Sequence, residues 1–198
     1  MRERPMLFNG PMVRAILDGR KTQTRRVMKS PPDFVVNGDP GQFTPQDQKY
    51  GRLGVVMPCP FGQPGDRLWV RETWKTHSTF DHLPPRDVPQ SKLFYAADNR
   101  YSPSGSRWRP SIHMPRWACR LVLEITDVRV ERLQAINRED CIAEGAAGGH
   151  NSIPGYGYSA TPHEHFQHIW NSTGGDWDSN PWVWVISFKR LEVGNGGG

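Results

Sequence analysis

The sequence predicts an α+β fold, a mainly antiparallel β-barrel with about three short helices and long loop insertions. Two strand-like segments carry the β part. In residues 119–133, Leu121, Leu123 and Ile125 alternate with Val122, Glu124 and Thr126, and Val128 and Val130 continue past Asp127. Such a run is long enough to bend and serve two sides of a barrel. Trp182 to Phe188 is apolar on both faces at its start, as a strand covered on two sides requires. Helix signals occur at 10–18, 138–144 and 162–171, and the 20 glycines and 18 prolines of the chain mark the loop-rich stretches that separate the regular elements.

In chain order, Met6-Leu7-Phe8 is a short initial strand. The first helix follows, with Asn9 as cap, Pro11 in its first turn, Val13, Ile16 and Leu17 at helical spacing, and Gly19 closing it in a left-handed conformation. Thr22 to Met28 is extended, with Thr24, Arg26 and Met28 on one face and Gln23, Arg25 and Val27 on the other. Insertions are expected at 29–64, 75–116 and 146–160, the first containing a short strand from Leu53 to Met57. Gly65-Asp66 turns the chain into a central strand from Arg67 to Trp74, with Leu68 and Val70 facing one side and Trp69 and Arg71 the other. Leu93 to Ala96 is a further strand.

Asn137 caps the second helix, with Ile142 on its buried side, Glu144 in its last turn and Gly145 as stop. Thr161-Pro162-His163-Glu164 is a capping box with proline at the first helical position, and Phe166, Ile169 and Trp170 form the apolar stripe of the third helix. The chain reads as one domain over 1–192 with a flexible tail over 193–198.

The 198 residues carry a formal charge of +5, and arginine outnumbers lysine 19 to 6. Arginine excess suits planar recognition of phosphates and bases, so nucleic acid or a nucleotide is the expected partner. Cys59, Cys119 and Cys141 have neither zinc-type spacing nor an even count for a disulfide framework. With no signal-peptide core near Met1 and no apolar run of membrane-spanning length, a cytoplasmic protein without membrane association is expected.

The chemistry is expected at the corner from Leu17 to Arg26. Arg20, Lys21, Arg25 and Arg26 surround Thr24, and Lys21 sits three residues before the threonine. Like charges disfavour a further ammonium, so a fraction of neutral Lys21 would be available as a base toward the Thr24 hydroxyl. The same four cations also read as a solvated or phosphate-binding face. Arg107 to Trp117 interleaves basic residues with Trp108 and Trp117, which suits either stacking on bases or pinning of a loop by core aromatics. His163, His165 and His168 raise the question of a metal, but no further ligand is evident, and neither metal nor cofactor is expected.

Gly19, Lys21 and Arg26 resemble the Gly-x-Lys-x-x-Glu-x-Arg signature of the ASCH superfamily of PUA-like domains, with Thr24 in place of the common Glu. Lys-x-x-Thr within a Leu-x-Gly-Arg-Lys-Thr-x-Thr run is similar to the bacterial N(4)-acetylcytidine amidohydrolases of that superfamily. Gly65 to Glu72 and Trp182 to Phe188 look like members encoded in phages and prophages.

The resemblance implies a PUA-like barrel. It also implies Lys21 as proton acceptor, Thr24 as nucleophile and Glu144 as proton donor, with Glu139 the rival for the last role. Arg20, Arg26, Arg71, Glu72, Trp74, His113, Arg116 and Trp117 are the expected substrate or nucleic-acid contacts. The implied substrate is an N(4)-acylated cytosine nucleoside or nucleotide. The alternatives are a non-catalytic binder of single-stranded RNA or DNA and, more distantly, a ribonuclease.

Overall fold

The computed structural model describes residues 1–29, 58–98 and 105–191. The expected strand at Leu53 to Met57, most of the first insertion and the tail over 193–198 lie outside them. Seven strands and three helices appear among these residues: β1 (Glu3–Leu7), α1 (Gly10–Leu17), β2 (Gln23–Val27), β3 (Arg67–Arg71), β4 (Trp74–Lys75), β5 (Phe94–Tyr95), β6 (Val122–Arg132), α2 (Arg138–Ala143), α3 (Pro162–Ser172) and β7 (Trp182–Leu191).

The main sheet has the order β1-β3-β6-β7-β2, with β1 parallel to β3 and every other pair antiparallel. This corrects the expected barrel: among the described residues the sheet is mixed and does not close, so β1 and β2 are its edges. The expected central strand from Arg67 to Trp74 also divides. Its second half leaves the sheet at Glu72 and becomes β4, which pairs with β5 in a separate ribbon.

The closing strand β7 is the spine of the molecule. Trp184, Ile186 and Phe188 face a core with Phe8, Val13, Ile16, Leu68 and Val70, while Val183 and Val185 face a second core with Cys141, Phe166 and Trp170. Helix α1 therefore covers one face of the sheet, and α2 and α3 cover the other. Burial on both sides explains why the start of β7 is almost uninterrupted in apolar residues.

The long strand β6 solves a parity problem. Its pairing with β7 shifts between Ile125 and Asp127, which leaves Thr126 as a bulge. Leu121, Leu123 and Ile125 face the first core before the bulge, and Val128 and Val130 pack against the same core after it. The extra residue hands the inward role from odd to even positions, so Arg129 and Glu131 turn to the α2 side.

The helices have the expected ends. Asn9 accepts from the Met12 amide, Asn137 accepts from the Asp140 amide, and the Thr161/Glu164 capping box is complete. Gly19 and Gly145, at φ 73° and 92°, turn the chain out of α1 and α2 in the left-handed region where a side chain is disfavoured. From the second insertion, Leu93, Tyr95 and Met114 pack in a small third core with Trp74 and Ala118. No helix among the described residues is long and apolar enough to cross a membrane.

Candidate functional site

The ends of α1 and α2 bring Lys21 and Glu144 together. The amides of Arg20 and Lys21 both donate to the Ala15 carbonyl, which folds the chain tightly past Gly19. Thr22 then donates to the Ala143 carbonyl, and Lys21 and Glu144 form an isolated antiparallel bridge. Gly145 completes the join: a Cβ there would lie 3.3 Å from that of Ala15 and 3.5 Å from that of Lys21.

Lys21 is 2% exposed, and each proton of its ammonium has an acceptor. Nζ donates to the Gln23 carbonyl at 2.8 Å, the Glu144 carbonyl at 2.9 Å and Glu144 Oε2 at 2.6 Å. Burial is the main influence on its pKa and pulls it below the ordinary value, with Glu144 opposing; Arg26 and Arg25 add smaller contributions in the direction of burial. The direction agrees with the expectation of a weakened ammonium, but desolvation takes the part that had been assigned to like charge.

The basic corner is in fact a paired network. Arg25 is buried and donates to Gln23 Oε1 at 2.6 Å, Glu144 Oε1 at 3.3 Å, Asp140 Oδ2 at 2.9 Å and the Glu131 carboxylate. Arg129 closes the far end on Asp140 at 2.7 Å. Three cations thus meet three carboxylates, and neither Lys21 nor Arg25 presents charge to solvent as a phosphate-binding face would require. Arg20 does remain exposed, where it pairs with Asp18 at 2.8 Å. A pair of that exposure contributes only about 0–1 kcal/mol.

Edge strand β2 supplies the wall of a cleft of about 220 Å³, lined by Thr24, Arg25, Arg26 and Val27, by Met12 of α1, by Phe166, Ile169 and Trp170 of α3, and by Glu144. That is below the roughly 300–1,000 Å³ of sites for drug-sized ligands, and suits a single base better than a longer ligand. Thr24 and Glu144 share this cleft, whereas Lys21 lies behind Glu144 and is not part of the lining. A second cleft of about 380 Å³ shares Met12, Glu144 and Ile169 with the first and continues past Arg14, Arg20, His165 and His168. Glu139, the rival of Glu144, is exposed on the outer side of α2.

Of the remaining expected contacts, most lie elsewhere. Arg26 lines the first cleft, donates to the Leu7 carbonyl at 2.7 Å and covers the Phe8 ring. Arg71, Glu72, Trp74, His113, Arg116 and Trp117 line neither cleft. Arg71 donates to the Met114 carbonyl at 3.0 Å, and Arg116 pairs with Glu3 at 2.7 Å. Glu72 is buried and holds Arg120 in a two-point bond at 2.8 and 2.9 Å; burial pushes its carboxyl up while Arg120 opposes. Trp74 is 0% exposed and meets the half-buried Trp117 edge to face at 6.1 Å, so Trp74 has no open ring face for a base. In that segment His113 and Trp108 are exposed, with the Lys75 ammonium 4.6 Å from the Trp108 ring.

Sequence reasoning counted Arg25 among the cations around Thr24 but not as a buried anchor, and passed over Gln23, Glu131, Asp140 and the indole of Trp170 as site residues. The alternation that put Gln23 and Arg25 on one face was the available signal for those two. Nothing in the sequence separated Asp140 and Glu131 from ordinary surface carboxylates.

The site is therefore a small cleft on a sheet edge, lined by Thr24 and Glu144, with Lys21 paired to that carboxylate behind the lining. No family model matches the chain, and no curated protein matches it. Among solved structures, the chain is similar to an ASCH domain from Lactobacillus crispatus JV V101. The likeness extends over 96% of this chain and 79% of that one, at 12% identity and a TM-score of 0.37.

Proposed function

We propose that this chain is an amidohydrolase-like ASCH protein that hydrolyses N(4)-acylated cytosine nucleosides or nucleotides, with Lys21 as base, Thr24 as nucleophile and Glu144 as proton donor. The observation that carries the reading is the 2.6 Å contact between Lys21 and Glu144, the latter lining the same cleft as Thr24. Moving one proton from Nζ to Oε2 turns the ion pair into a neutral amine and a carboxylic acid. Those are the two forms that acylation of Thr24 needs, and burial of the pair lowers the cost of reaching them.

In the first half-reaction the Thr24 oxygen bonds to the acyl carbon as its proton passes to Lys21. The C–N bond then breaks, and the exocyclic nitrogen leaves as the free amine with a proton from Glu144. In the second, water attacks the acyl–threonine ester, the carboxylic acid leaves, and Thr24 regains its proton. The assay follows loss of the acylated base's ultraviolet absorbance. Turnover of N(4)-acetylcytidine that disappears in Thr24→Ala supports the reading, and no turnover above that variant across several acyl groups overturns it.

A second reading, a non-catalytic binder of single-stranded nucleic acid, is favoured by the segment around Trp108 rather than by the Lys21 corner. Trp108 is 43% exposed over Lys75, with Arg107 and His113 exposed nearby in sequence. Stacking on such a ring contributes about 1–3 kcal/mol per base. A gel shift that weakens steeply with salt and is lost in Trp108→Ala supports this reading; absence of a shift at low ionic strength removes it.

A further inference from the structure

We infer that the second cleft is the seat of a phosphate, so that the preferred ligands are cytosine nucleotides rather than free nucleosides. The inference rests on the base-cleft reading above and names the substrate class for that site.

The two clefts join at Met12, Glu144 and Ile169. A base held beside Thr24 therefore has its sugar side directed past Glu144 into the second cleft or out to solvent. The chemistry of the second cleft favours an anion. His165 and His168 stand one turn apart on α3, and Arg14 reaches the same cleft from α1.

His165 Nδ1 accepts the Gly148 amide at 3.2 Å, which puts the ring proton on Nε2 and makes that nitrogen a donor. Arg14 spends one bond, on the Ala97 carbonyl at 3.3 Å, and has further N–H groups to give. The acidic groups of this cleft are already engaged. Asp18 is paired with Arg20, and Glu144 with Lys21 and Arg25. Ser152 donates its hydroxyl to the Gly149 carbonyl at 2.8 Å and offers no competing charge. His165 Nε2, His168 and the remaining N–H groups of Arg14 are thus donors with no acceptor assigned among the described residues, which suits an anion better than a neutral ribose alone.

Calorimetry on the whole protein with cytidine and cytidine 5′-monophosphate decides the matter without any chemical step. The monophosphate should bind at least about tenfold tighter, a charge-assisted contribution of ordinary size. His168→Gln and Arg14→Gln should each reduce that preference to a few-fold, with circular dichroism confirming that both variants are folded. Equal affinities of the wild-type protein for the two ligands overturn the inference, as does a preference that survives both substitutions. The hydrolysis assay on N(4)-acetylcytidine is run on the same preparation. Lack of turnover with a retained monophosphate preference sinks the catalytic reading alone, and turnover with no preference sinks the phosphate seat alone.

Discussion

Lys21 Nζ and Glu144 Oε2 lie 2.6 Å apart, the ammonium sealed from solvent and Glu144 buried at the junction of two clefts, although 123 positions separate them in the chain. Removing Glu144 leaves the buried Lys21 ammonium without its counter-ion, and removing Lys21 leaves Glu144 only the longer 3.3 Å contact to Arg25. Lys21→Met and Glu144→Gln should each destabilise the protein by about 3–5 kcal/mol, while the double variant should lose clearly less than the sum. Urea denaturation of the four proteins checks this, and additive losses would remove the coupling.

Replacing Lys21 with arginine keeps the charge but removes a base that can lose its proton near neutral pH. The larger head must fit a site that is 2% exposed, at a cost of about 1–3 kcal/mol. Lys21→Arg should melt at a lower temperature yet fold, and should show no turnover. A folded and fully active Lys21→Arg protein would eliminate lysine-base catalysis.

Asp140 contributes to acid sensitivity. Burial works against its ionisation, but Arg25 and Arg129 outweigh that and hold its carboxyl below the ordinary 3.8. The folded state thus binds that proton less readily than the unfolded one. The resulting stability is complete above the unfolded value and is lost as pH falls through the folded one. Asp140→Asn should be less stable than the parent at pH 7, with the difference shrinking below about pH 4. Thermal melts across that range provide the comparison, and a difference independent of pH would contradict the linkage.

Lys21 has the same sign in an alkaline window. Its pKa is depressed from 10.5, so the unfolded chain holds the proton more tightly, and this group makes stability rise as pH climbs through the folded value toward 10.5. The rise should be absent in the Lys21→Met/Glu144→Gln double variant when denaturation midpoints are compared between neutral and alkaline pH.

Gly175 shapes the first cleft. A Cβ at that position would sit 2.4 Å from Trp170 Nε1 and 2.6 Å from its Cδ1, so Gly175→Ala forces the indole to shift. The overlap should cost about 1–3 kcal/mol and raise KM for the acylated nucleoside more than it lowers kcat. Steady-state kinetics with a thermal melt of the same sample separates the two effects.

Local chemistry was enough to reveal much of this protein. The caps at Asn9, Asn137 and Thr161, the left-handed stops at Gly19 and Gly145 and the alternation of β3, β6 and β7 are short-range patterns, and apart from β3, which stops at Arg71, each of these elements formed close to its expected bounds. The signature around Lys21 and Thr24 is equally local, which is why it could be read without a fold.

Tertiary structure decided the rest, because charge state and exposure depend on residues distant in sequence. Four cations within seven positions read either as like charges that weaken the Lys21 ammonium or as a solvated or phosphate-binding face. The Thr126 bulge aimed Arg129 and Glu131 at α2, Asp140 and Glu144 arrived from that helix, and Lys21 and Arg25 became a buried, neutralised network. Trp74 and Trp108 look alike in composition, yet one closes a small core and the other stays open, because only packing decides which aromatic a neighbouring loop covers. The mixed character of the sheet among the described residues likewise rests on a parallel β1–β3 pairing between segments some 60 residues apart, a long-range contact that no period in the sequence encodes.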